Sequence, residues 1–137
     1  MGKLLQRLQD ASRSGVYRAA RADEILDALR GSGMDVARIA FSEKESFLDE
    51  IARALEFPAW FGHNWDALED CLCDLSWRPA PGYVLVFQNY SKGDELGVLI
   101  DVLASSAEFW AGRGTPFFAV FVDPERKLEL PALFREA

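Results

Sequence analysis

Apolar residues recur along the chain in two alternating rhythms. Ala22, Ile25, Leu26 and Leu29 fall at the spacing of one helix face, and Gly31 and Gly33 stop that helix. Val36 to Phe41 reads as a strand. Ser42 and Glu45 form a capping-box pattern before a second amphipathic helix carrying Phe47, Leu48, Ile51 and Leu55. Pro58 ends that helix, because the residue before a proline avoids the helical region. Asn64 suits the N-cap of a third helix expected to run to about Ser76. After the turn Arg78-Pro79-Ala80-Pro81-Gly82, Tyr83 to Phe87 is a continuous apolar run of strand length. Leu96, Leu99, Leu103, Ala107 and Trp110 return to helical spacing, Gly112 and Gly114 close that helix, and Phe117 to Val122 is another apolar strand.

Strands that are apolar at nearly every position, alternating with helices, are the mark of a parallel sheet covered on both faces. The expected fold is a small α/β domain with a mainly parallel sheet of three or four strands. One domain over 1–137 is expected, with its core at about 34–122, an N-terminal extension over 1–33 and a tail over 123–137. Val16 to Ala19 suggests a short edge strand. Leu4, Leu5 and Leu8 suggest a loosely docked arm, and Leu128, Leu130, Leu133 and Phe134 offer the tail places to dock.

Half of the 137 residues are apolar, enough for a real core. The 22 acidic against 15 basic residues leave a net charge of −7, which repels phosphate backbones and favours a basic partner over nucleic acid. Solubility alone also accounts for such a charge. Two cysteines, Cys71 and Cys73, and a lone histidine, His63, make no usual zinc site and no disulfide framework, so a reducing cytoplasm, no metal and no cofactor are expected. No stretch has the length of a transmembrane helix, and the N-terminus has no apolar run suited to a signal peptide. A monomer is the simplest expectation.

The segment Phe57 to Leu75 departs from rules of pure stability. On a helix from Asn64, residues Ala67, Leu68, Cys71, Leu72 and Leu75 cover one side. Asp66, Glu69, Asp70 and Asp74 cover the other, with Cys73 among them. Asp66, Asp70 and Asp74 repel at i, i+4, i+8, and no Lys or Arg lies between Arg53 and Arg78 to offset them. Asp74 also opposes the helix dipole. Rules broken without local gain point to function. Trp60, Phe61 and Trp65 surround Gly62, and aromatics beside carboxylates have the composition of a protein-interface hot spot. The rings could equally serve the core, Phe61 above all. Gly62 is expected to allow a positive φ or a close backbone approach, and His63 to face solvent.

This segment resembles the barstar family. The family's signature is a proline, a pair of aromatics, Gly-x-Asn, then Asp-Ala-Leu and Asp-Cys-Leu. Here it reads Pro58, Trp60-Phe61, Gly62-His63-Asn64, Asp66-Ala67-Leu68 and Asp70-Cys71-Leu72. The resemblance implies a barstar-like fold, no catalytic residue, and inhibition of a small secreted ribonuclease inside the cell that makes it. It implies that the loop and the acidic helix enter the enzyme's active-site cleft, with Trp60, Gly62, Asn64, Asp66 and Asp70 at the interface and Asp70 as the central aspartate. Phe61, His63, Trp65, Glu69, Cys73 and Asp74 complete the expected contact set. Glu69 stands where the best-known member has an aromatic, and Cys73 replaces a hydroxyl. A carboxylate of the later helix also contributes in the family, for which Asp94, Glu95 and Asp101 are candidates. Two other readings stay open: a regulatory module of the same fold with a basic, non-nuclease partner, and a hydrolase using His63 and the carboxylates with a divalent ion.

Overall fold

The computed structural model describes residues 2–41, 46–90 and 93–134. A four-stranded sheet is built from β1 (Gly15–Ala19), β2 (Asp35–Ala40), β3 (Tyr83–Gln88) and β4 (Phe117–Val122), in the order β1-β4-β3-β2. All three pairings are parallel. The helices are α1 (Lys3–Leu8), α2 (Asp23–Leu29), α3 (Phe47–Ala54), α4 (Trp65–Leu72) and α5 (Asp94–Gly112).

The unbroken apolar runs follow from burial on both sides. Leu85, Phe87, Phe117, Ala119 and Phe121 face a front core shared with α3, α4 and α5. The residues between them, Val84, Val86, Phe118 and Val120, face a back core with α1, α2 and the tail. Successive strand side chains point to opposite faces, so both parities must be apolar here. The expected α/β parallel sheet is present, with four strands.

Three local expectations are revised. The N-terminal arm is firmly docked: Leu8 is fully buried among Ile25, Leu29 and Leu133. The Ser42–Glu45 pattern lies outside the described residues, and the observed N-cap of α3 is Ser46, whose hydroxyl accepts the Asp49 N–H at 3.2 Å. Helix α4 stops at Leu72, short of Ser76.

The early stop has a physical cause. Leu75 takes a left-handed φ of 50°, its N–H bonds the Cys71 carbonyl, and its side chain is buried in the front core. A left-handed residue with a Cβ costs about 1–2 kcal/mol. Full burial of a leucine contributes about 1.5–3 kcal/mol, enough to turn the chain without a glycine.

The tail wraps the β1 edge. Buried Asp123 accepts the N–H groups of Lys127 (3.0 Å) and Leu128 (2.8 Å), turning the chain after β4. Leu128 sits in the front core, and Leu133 in the back core. Between them Arg18 N–H donates to the Pro131 carbonyl and accepts, through its own carbonyl, the Leu133 N–H, both at 2.9 Å. The exposed side of an edge strand is thereby covered.

Candidate partner-binding surface

The loop before α4 is shaped by one side chain. Asn64 Oδ1 accepts the Ala67 N–H at 2.7 Å, capping the helix, while its Nδ2 donates to the Gly62 carbonyl at 3.3 Å. Gly62 has no positive φ but is closely approached: a Cβ there would stand a tight 3.3 Å from Asn64 Nδ2. The left-handed residue is its neighbour His63, at φ 53°. His63 is exposed, its ring leans on Phe61 at 4.8 Å, and its Nδ1 lies 3.1 Å from Asp49 Oδ1 of α3.

The aromatics divide. Phe61 is 6% exposed and packs edge-on against Phe57, so it supports the loop from inside. Trp65 is half-buried. Trp60 is 60% exposed, and its ring stands edge-on to Trp77 at 6.2 Å.

The carboxylates point outward. Asp66, Asp70 and Asp74 are exposed and Glu69 is half-exposed. Asp74 follows α4 instead of lying on it, since the helix has already ended. Among the described residues none of the four is paired with a lysine, arginine or histidine. Asn64, Trp65, Asp66, Ala67 and Asp70 line an open depression on this face. Among the described residues no three histidine, cysteine or carboxylate side chains converge into a group that could hold a metal ion.

The inner side of α4 is apolar and rigidly held. Cys71 is buried, and burial, with Asp70 and Asp74 adding their negative charge, pushes its thiol up to about 11. Half-buried Cys73 lies 3.9 Å from Ser106 Oγ. Burial raises its thiol pKa too, with Ser106 opposing and Glu69 and Asp70 reinforcing the shift. Trp110 of α5 donates its indole N–H to the Leu72 carbonyl at 2.7 Å, satisfying one of the orphan acceptors at the end of α4. Glu95 and Asp101 are exposed on α5, and the side chain of Asp94 lies outside the described part.

A family model described as Barstar (barnase inhibitor) matches residues 34–122. The chain belongs to the barstar family. The matched span of this barstar-family protein runs from β2 to β4 and contains the capped loop, α4 and α5; α1, β1, α2 and the tail lie outside it. No curated protein and no solved structure matches the chain.

Sequence reasoning did not single out Asp49, Trp77 or the ion pairs of Arg78. Arg78 grips both oxygens of Asp35 at 2.7 Å and reaches Glu56 at 2.9 Å. Such a fork is strong and directional, but its partners come from distant parts of the chain and have no local spacing to reveal them.

Proposed function

We propose that this barstar-family protein is an intracellular, monomeric inhibitor of a barnase-type extracellular ribonuclease and has no catalytic activity of its own. It blocks the enzyme's basic active site with α4 and the loop before it. The observation that carries this reading is the row Asp66, Asp70 and Asp74, exposed and without basic partners among the described residues, with the ring of Trp60 exposed on the loop that precedes it.

Ribonucleases that cleave through the 2′-hydroxyl need cationic groups to hold phosphate and to stabilise its developing charge. Carboxylates standing where phosphates would sit recruit those cations, and arginine binds them through short, often bidentate bonds. Asp70 is the central phosphate mimic and Asp66 an auxiliary. Trp60 and the Gly62–Asn64 backbone supply the adjoining contact. Opposite fields speed the encounter, an effect that salt suppresses.

The test is RNA cleavage by candidate secreted ribonucleases with this protein added. Stoichiometric loss of cleavage is expected with the true target. Asp70→Ala should then weaken binding by several kcal/mol, a size borrowed from barstar itself, which supplies the extreme example of such losses. Unchanged affinity on titration would remove Asp70 from this role. Capture of a basic protein without nuclease activity would favour a regulatory module instead.

A further inference from the structure

We propose that Trp77 is a positioning residue for the partner-binding surface, presetting the side chain of Trp60. The proposal rests on the inhibitory reading of that surface but adds a residue outside the expected contact set.

Trp60 is the most exposed of the large apolar side chains described, and a free tryptophan at such a place would sample several rotamers. Ordering it when a partner closes over it subtracts from affinity, and a ring already held avoids that loss. The ring contact described for Trp60 is the edge-on one with Trp77, at 6.2 Å and 88°. That geometry is favoured between aromatic quadrupoles.

Trp77 can act as a fixed backstop because it is itself tied down. Its indole N–H donates to the Leu55 carbonyl at 3.0 Å, at the C-terminal end of α3 where helix acceptors lack partners. Its ring also meets Phe57 edge-on at 5.8 Å. The next residue is Arg78, clamped to Asp35 at the start of β2 and to Glu56. Two adjacent residues are thus anchored to two separate elements. The chain of contacts runs from the sheet and α3, through Trp77, to the exposed face of Trp60.

The test is NMR relaxation of the four indole N–H groups of the free protein. In the unaltered chain Trp60 should be ordered despite its exposure, with an order parameter near the rigid value of about 0.85. In Trp77→Leu it should fall below about 0.6, while Trp65 and Trp110 keep their values. A mainly structural role for Trp77 would disturb all the indoles or none. A mobile Trp60 in the unaltered chain, or one left unchanged by the substitution, overturns the proposal. Should Trp77→Leu not fold, Trp77→Phe decides by the same comparison: a lower Trp60 value supports the proposal and an equal one overturns it. No ribonuclease is present in the measurement, so its outcome is independent of whether the partner has been correctly assigned.

Discussion

Cys71 lies under the acidic face of α4, and its environment makes a prediction about alkali. Its thiol titrates at about 11 in the folded chain against an ordinary value of 9.0. A folded-state value above the unfolded one means that the folded chain holds the proton more tightly. The associated stability is fully present below pH 9 and is lost as pH rises through 11. Burial, with Asp123 adding to it, pushes Tyr90 up to about 12 as well, from 10.0, extending the loss to still higher pH. Urea midpoints should therefore fall between pH 9 and 11, and the fall should be smaller in Cys71→Ala. Asn64 gives a second prediction at this scale. Removing its cap by Asn64→Ala should cost about 0.5–2 kcal/mol of unfolding free energy, read from the same urea curves.

At the level of the element, α4 carries a conflict between stability and charge. Asp66 and Asp70 repel one turn apart, and aspartate is a poorer helix former than alanine. Asp70→Ala, the substitution expected to weaken partner binding, should therefore stabilise the free protein by about 0.5–1 kcal/mol. A higher urea midpoint at unchanged slope is the expected result; a lower midpoint would mean that Asp70 has a stabilising partner. This conflict was readable from spacing alone, because i, i+4 repeats need no knowledge of the rest of the fold. The N-cap was equally plain, since Asn64 precedes the first apolar turn. The end of the helix was not. Its stop is Leu75 in a left-handed conformation, and what holds a leucine there is a core assembled from the sheet, α3 and α5. Spacing left Phe61 undecided between core and surface for the same reason: an aromatic in a loop is buried only where the fold brings a core to it, here the front core.

Across the whole molecule, the helices and strands follow from the apolar rhythm, and the order in which the strands pair does not. Strands β2, β3 and β4 announce themselves by length and continuity. The partner of β1 is β4, with Gly15 opposite Phe118, a pairing no local pattern can specify. The leucines of the tail mark it as able to dock but not where: Leu128 and Leu133 join opposite cores across the edge of the sheet. Leu133→Ala should cost about 2–5 kcal/mol, as for other fully buried leucines. Calorimetric melting checks this, and a loss under 1 kcal/mol would mean that the tail is not part of the cooperative unit.

The placement of β1 also bears on how the protein is made. On the ribosome the first strand emerges early, but the strand it lies against, β4, is the last of the four to be synthesised. Until then the inner faces of α1 and α2 lack Phe118 and Val120, the β4 share of the back core. A nascent chain halted before Phe117 is left with bare apolar surface, prone to aggregation and to degradation. Premature termination would thus yield no half-working fragment.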